Sequence, residues 1–289
     1  MGAFKDRLVI SSLRVLPQRW LSHCAGALMG TSLPRPLARA AVRTYGAVAG
    51  VDFSEVKDPI ESFHSVQEFF VRALKDGARP VDGDARALVS PCDGAWGAAG
   101  VVERGQLLQV KGRPYSVAAL LDDEALAARF EGGAFATLYL SPRDYHRLHA
   151  PVAGAVIAAR HVPGALWPVN SAGIQFVDGL FARNERIVVS LRPDAATGAP
   201  GDALVALVAV GATMVGKVRL AFDDLVTNDG DLARTRSYDP PVHVDKGREW
   251  GRFEFGSTVV LLATPGWAHL DPQPPGTPVR MGGRIGTVC

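Results

Sequence analysis

Three short segments of this chain carry residue types that can do chemistry. The first is Phe255-Gly256-Ser257-Thr258, which follows Gly251-Arg252-Phe253-Glu254 and precedes the apolar run Val259–Ala263. A Gly–Ser bond permits an internal acyl shift. The Ser257 hydroxyl attacks the Gly256 carbonyl, and the acyl group moves from nitrogen to oxygen. Glycine obstructs that attack least, because it has no side chain and tolerates unusual backbone angles. The ester can then eliminate to dehydroalanine, which rearranges and hydrolyses to a pyruvoyl group. Taken alone, the same tripeptide is an ordinary turn entering a strand. It needs partners to mean more.

The second segment is Tyr145-His146-Arg147-Leu148-His149-Ala150-Pro151. Two histidines three apart can share a helix face and bind a metal. Pro151 follows closely, however, no glutamate completes an HExxH pattern, and no third ligand stands nearby, so no metal is expected. A nucleophilic serine needs a general base, and histidine is the usual one near neutral pH. The third segment is Ser90-Pro91-Cys92-Asp93-Gly94. Asp-Gly is common in β-turns; alternatively, Asp93 is the carboxylate that orients a histidine in an Asp–His–Ser set. Such a set also fits a lipid hydrolase that keeps its chain intact, although the GxSxG elbow is absent. A non-catalytic lipid-binding protein would leave all these residues without a task.

The elements that must position these segments read as α+β. After Asp52, short β-rich runs alternate with Gly, Pro and Asp: 97–102, 107–110, 134–140, 155–162, 186–191, 204–210, 214–220 and 258–263. Helices are expected at 65–74 and near 123–130. Many short strands with few helices point to a β-rich core of mainly antiparallel sheets. Residues 4–50 read instead as two or three short helices, the first broken by Pro17 and the third spanning Leu37–Val48.

Composition bounds the function classes. Hydrophobic residues make up 47% and charged residues 21% of the 289 positions, which fits a globular protein and excludes a disordered one. The net charge of +2 gives no sign of a nucleic-acid partner. Residues 1–51 nevertheless hold seven basic side chains and one acidic one, so residues 52–289 are net negative. A basic, amphipathic N-terminal segment suits an anionic membrane surface; a helical cap on the protein's own core is the plain alternative. No run approaches the ~18 apolar residues of a spanning helix, and no secretory signal is evident, so any membrane contact is expected to be peripheral. The cysteines, Cys24, Cys92 and Cys289, are too scattered for a disulfide framework.

Several longer motifs occur together and in order: SPCDG at 90–94, Lys111-Gly-Arg-Pro-Tyr-Ser116, YLSPRDYHRLHAP at 139–151, LFARNER at 180–186, VGATMVGKV at 210–218 and KGREWGRFEFGSTV at 246–259. In content and spacing they resemble the bacterial phosphatidylserine decarboxylase family, from about Ser65 to about Ala263. The resemblance implies a proenzyme that cuts itself between Gly256 and Ser257 into a β chain (1–256) and an α chain (257–289). It implies that Asp93, His149 and Ser257 form the self-cleavage triad, with His149 as base, and that His146 serves the decarboxylation. The cofactor implied is a covalent pyruvoyl group (pyruvate) derived from Ser257, and the reaction is phosphatidylserine to phosphatidylethanolamine and CO₂. It further implies a homodimer, and a peripheral protein on the cytoplasmic face of the cell membrane that docks through residues 1–51, with 52–289 as the catalytic domain. One departure is visible: Phe255 stands where the family more often has leucine.

Overall fold

A computed structural model describes residues 18–108, 114–213, 217–228, 232–254 and 257–288. The first expected helix, parts of two expected strands (107–110 and 214–220), Phe255 and Gly256 lie outside the described residues, as does the Ser257 side chain. The helices are α1 (Gln18–Gly30), α2 (Arg35–Ala49), α3 (Val66–Phe70), α4 (Val117–Leu121), α5 (Glu124–Ala128), α6 (Ser171–Phe176) and α7 (Leu180–Arg183). The strands begin with β1 (Ala87–Val89), β2 (Gly94–Val101), β3 (Gln106–Leu108), β4 (Pro114–Ser116), β5 (Ala134–Leu140) and β6 (Arg147–His149). They continue with β7 (Gly154–Val162), β8 (Arg186–Pro193), β9 (Val205–Val210), β10 (Val218–Leu220) and β11 (Arg234–Val244). The last are β12 (Glu249–Phe253), β13 (Ser257–Ala263), β14 (Ala268–Leu270), β15 (Pro278–Val279) and β16 (Arg284–Val288).

An eight-stranded antiparallel sheet in the order β11-β7-β8-β9-β13-β5-β2-β15 organises the molecule. Its central strands are buried on both faces, which is why they read as continuous apolar runs (Val205–Val210, Val259–Ala263) rather than alternating ones. One face, with Val259, Leu261 and Leu207, packs on β6, β10 and β12 and on Trp267 and Ile285, from the smaller antiparallel sheets β10-β12-β6 and β1-β16-β14. The other, with Val260, Leu262 and Val208, packs on Leu120, Phe130, Leu180 and Phe181 of the helical layer. Each fully buried leucine or phenylalanine contributes roughly 1.5–3 kcal/mol of transfer free energy, and β13 is buried on both faces.

The expected α+β class and antiparallel core are observed. The helix expected at 65–74 is shorter. Ser65 caps it by accepting from the Glu68 N–H, and the Glu68 carboxylate accepts from the N–H of His64, the residue before the cap. It stops at Phe70 because Ala73 and Leu74 pair in extended form with Lys57 and Val56. The N-terminal α2 starts with Pro36 in its first turn and ends at Gly50 in the left-handed region. Its stripe Ala38, Val42 and Gly46 is buried, and Val42 packs with Val51, Val56, Phe63 and Phe69. The opposite side leaves Leu37 and Val48 exposed. Among the described residues, no helix is long and apolar enough to cross a membrane.

Candidate active site

The three chemical segments converge through main-chain contacts. β5 ends at Leu140 and β6 begins at Arg147, while β12 ends at Phe253 and β13 begins at Ser257. Two connections, 141–146 and 254–256, therefore join the large sheet to the β10-β12-β6 sheet. At one end Leu140 pairs with Ser257; at the other the Phe253 N–H donates to the His146 carbonyl at 2.9 Å. The SPCDG segment runs along the first connector. Gly94 has φ +152° and lies so close to Tyr139 and Leu140 that a Cβ would strike the Tyr139 carbonyl. Only glycine fits there. Three residues earlier, the Pro91 carbonyl accepts from the His149 N–H at 2.8 Å.

His146 and His149 do not share a helix face. They lie on an extended segment, with His149 in β6, and an odd spacing along a strand sends successive rings to opposite sides. His146 is fully buried, its ring centroid 3.9 Å from that of Phe70. Its Nδ1 lies 2.8 Å from the Asp144 carbonyl, and because a carbonyl can only accept, Nδ1 carries the proton. Nε2 is then a bare lone pair, and it has no partner among the described residues. Burial, reinforced by the positive Arg72, pushes the imidazole pKa down to about 3 against the opposing Asp144 hydrogen bond. The ring is neutral at physiological pH.

His149 has the same tautomer but different company. Nδ1 donates to the Gly247 carbonyl at 2.8 Å, and Nε2 accepts from the Tyr145 hydroxyl at 3.1 Å. Burial is the main cause lowering its pKa, partly offset by the Gly247 contact and by Glu249. The ring borders an open groove that also includes Arg147, Arg219 and Arg252.

Asp93 is buried and does not take up the ring of His149. Arg79 holds it instead: Nε donates to both carboxylate oxygens at 2.8 and 2.9 Å, and Nη2 to Oδ2 at 2.6 Å. The Met281 N–H completes the set at 2.8 Å. A forked guanidinium satisfies a carboxylate better than one imidazole N–H, and Gly247 already occupies that N–H. Arg79 also donates to Glu55 at 2.8 Å. Sequence reasoning passed over Arg79, a lone arginine in a Gly-Ala-Arg-Pro turn with nothing to mark it. Tyr145 entered only as a flanking residue, with no role. Asp93, Arg79 and Tyr145 line one cavity of about 370 Å³ together with Tyr139, Ser141 and Asp144. Beside Asp93, Cys92 is a free, buried thiol whose pKa burial raises well above its ordinary value.

The family model described as phosphatidylserine decarboxylase matches residues 66–287, which includes all three segments. This chain belongs to the phosphatidylserine decarboxylase family. The phosphatidylserine decarboxylase proenzyme of Anaeromyxobacter sp. (strain K) is 49% identical over 285 residues, 97% of this chain and 98% of that one. Those of Myxococcus xanthus (strain DK1622) and Stutzerimonas stutzeri (strain A1501) are 39% and 41% identical, covering 98% of this chain and 99% and 95% of their own. Similarity across nearly whole chains includes the N-terminal segment that carries α1 and α2. The YHRLHAP segment meets Phe253 through His146, and the strand before it meets Ser257 through Leu140.

Proposed function

We propose that the chain is a self-processing proenzyme that cleaves its own Gly256–Ser257 bond and decarboxylates phosphatidylserine to phosphatidylethanolamine with the pyruvoyl group formed at residue 257. The observation that carries this reading is the pairing of the described residues on either side of that bond. Its two flanking strands pair at Leu140–Ser257 and His146–Phe253, with Gly94 packed against Leu140. Proenzyme relatives of nearly full length support it. The residues present also fit the group: a buried histidine nitrogen without a partner and a polar cavity lie beside the same connector. A pyruvoyl group, when present, supplies a ketone for the substrate amine and a carbonyl system that takes up the electron pair left by CO₂.

In maturation, Nε2 of His149 is the atom that receives the Ser257 proton, exchanging the Tyr145 hydroxyl for the serine hydroxyl. Gly247 fixes the tautomer by holding Nδ1–H. Asp93 acts through its charge rather than by gripping the ring, favouring the imidazolium that forms. In turnover, His146 handles protons at Nε2. Because burial penalises its imidazolium, a proton placed there is given up readily, which suits delivery to the carbon that CO₂ has left.

Residues 1–51 serve as the membrane-docking segment and 52–289 as the catalytic unit. Leu28, Leu37 and Val48 are 76%, 59% and 84% exposed, and α2 also carries Arg35, Arg39 and Arg43, the last two beside Glu61. Exposed apolar side chains on basic helices suit a peripheral site on an anionic cytoplasmic leaflet. The β and α chains remain associated through the pairing of β13 with β5 and β9, and the assembly is a homodimer. The test is a denaturing gel with intact mass and CO₂ release from phosphatidylserine. A small chain beginning with a pyruvoyl group in an active preparation supports the reading; an intact chain that cleaves lipid esters makes the protein a hydrolase.

A further inference from the structure

Three arginines stand in a row across the β10-β12-β6 sheet. Arg219 of β10 pairs in register with Arg252 of β12, and Arg252 pairs with Arg147 of β6. Val218, Leu220, Phe253 and Leu148 of the same strands are buried in the core, so by strand alternation the arginines occupy the outer face. The side chains of Arg219, Arg252 and Arg147 are 38%, 32% and 26% exposed. Like charges directly opposite one another weaken a sheet. Two carboxylates offset the row incompletely. Glu249 meets Arg147 at 2.9 Å but Arg252 only at 3.9 Å, and Glu254 accepts from Nε of Arg219 at 2.9 Å. Among the described residues, both terminal nitrogens of Arg219 stay open.

The row lines the open groove beside His149, about 850 Å³ in volume, where five basic side chains meet three acidic ones. Two of those acids face other partners. Asp76 pairs with Lys57 at 3.3 Å, and Asp223 accepts from the Tyr238 hydroxyl at 3.0 Å. Arg248, also lining the groove, is exposed and forms no ion pair among the described residues. The row also leads towards the N-terminal helices. Glu254 accepts from Gln67 of α3 at 3.1 Å, and a Cβ on Gly30, the last residue of α1, would strike the Gln67 carboxamide. Leu28, two residues before Gly30, is exposed. We propose that the outer face of the β10-β12-β6 sheet is a docking surface for the phosphodiester headgroups of an anionic bilayer, held by Arg219, Arg252 and Arg248. An accessible guanidinium fork matches a phosphate through two parallel bonds, and a wide, open groove suits a lipid surface. This rests on the reading of the protein as a peripheral membrane enzyme and adds a site in the catalytic unit to the one on α2.

The test is co-sedimentation of the full-length protein with vesicles of phosphatidylcholine, alone or mixed with phosphatidylglycerol, an anionic lipid that is not the substrate. An arginine at an anionic surface contributes about 5-fold in affinity. Arg219→Gln with Arg252→Gln should therefore bind the mixed vesicles about 25-fold more weakly than wild type, and pure phosphatidylcholine no differently. Arg248→Gln touches no ion pair of the sheet and should cost about 5-fold by itself, which keeps the test open if the double variant fails to fold. Near 1 M salt the gap between wild type and variants should close, because screening removes the headgroup attraction. Turnover adds a second readout. The double variant should lose activity on phosphatidylserine in vesicles by a factor similar to its binding loss, and less than about 3-fold on dihexanoyl phosphatidylserine as monomers. Equal binding of the mixed vesicles by wild type and both variants would overturn the proposal. So would equal losses on monomeric and vesicular substrate with vesicle binding intact, which would place the row in the substrate pocket. Leu37→Gln with Val48→Gln reports on the α2 site separately. Binding lost in that pair but kept in the arginine variants would leave the helical site standing and remove this one; the reverse would move docking to the sheet.

Discussion

Arg79 grips Asp93 through both carboxylate oxygens, at 2.6 to 2.9 Å, and both side chains are more than nine-tenths buried. The Asp93 charge is thus fixed in place beside Gly94 and the start of β2. Removing one member of a buried pair strands the other, at about 3–5 kcal/mol. Arg79→Leu should therefore lower stability by that order, seen as an earlier denaturation midpoint, and should slow maturation on a gel. Asp93→Asn keeps the shape and removes the charge, so it should slow cleavage strongly with a smaller loss of stability. Cleavage of Asp93→Asn at the wild-type rate would show that the charge plays no part in maturation.

The two histidines should be separable. His149→Ala removes the nitrogen assigned to take the Ser257 proton and should stall as a single chain. His146→Ala should mature yet turn over phosphatidylserine poorly, with the loss of ~10²–10⁴-fold expected for acid–base assistance. Ser257→Ala should stay whole and inactive. A gel for processing beside a CO₂-release assay checks all three. If His146→Ala fails to cleave while His149→Ala matures, the assignment is reversed.

Much of the core was legible because its signal is local. Strand 134–140 was read to the residue, and β7, β8, β9 and β13 within a few, since central strands buried on both faces appear as bare apolar runs. β11 was not legible. It is a largely exposed edge strand with Pro240 and Pro241 in its middle, and its register breaks between Ser237 and Val242, so neither alternation nor propensity betrays it. At the site, the motifs named Asp93, His146, His149 and Ser257, but not their partners. Arg79 lies 14 residues from Asp93 and Arg72 lies 71 from Arg143, contacts made only by the tertiary fold. The extended path of the histidine segment was illegible for a similar reason: β6 is a strand because it pairs with β12, about 100 residues away.

Membrane docking can be tested without disturbing the core, because α2 has two distinct faces. Its Val42 side packs against Phe63 and Phe69, so deleting residues 1–50 would remove core contacts as well as surface. Leu37→Gln with Val48→Gln alters exposed positions only. That pair should leave the denaturation midpoint and self-cleavage unchanged and weaken co-sedimentation with anionic vesicles. Salt near 1 M should loosen the full-length protein in part, since screening removes the charge attraction and not the apolar contact. Undiminished vesicle binding by the double variant would move the membrane site elsewhere.

Acid should destabilise the protein through His146. Its folded pKa is about 3, below the ordinary 6.5, so above pH 6.5 the ring is neutral in both states and its contribution is fully present. As pH falls from 6.5 towards 3, the unfolded chain binds a proton that the native state refuses. Stability then drops by up to about 1.4 kcal/mol per pH unit within that window. The lowered pKa of His149 acts in the same direction. His146→Asn can keep the donor to the Asp144 carbonyl while removing the titration. Urea denaturation at pH 7, 6, 5 and 4 should show a shallower loss of stability for His146→Asn than for wild type, by close to one proton between pH 6 and 4. The variant should start less stable at pH 7, because a smaller side chain packs less well against Phe70. Parallel pH profiles for the two proteins would mean that His146 is not the buried neutral base, and its assignment to proton delivery would fall with it.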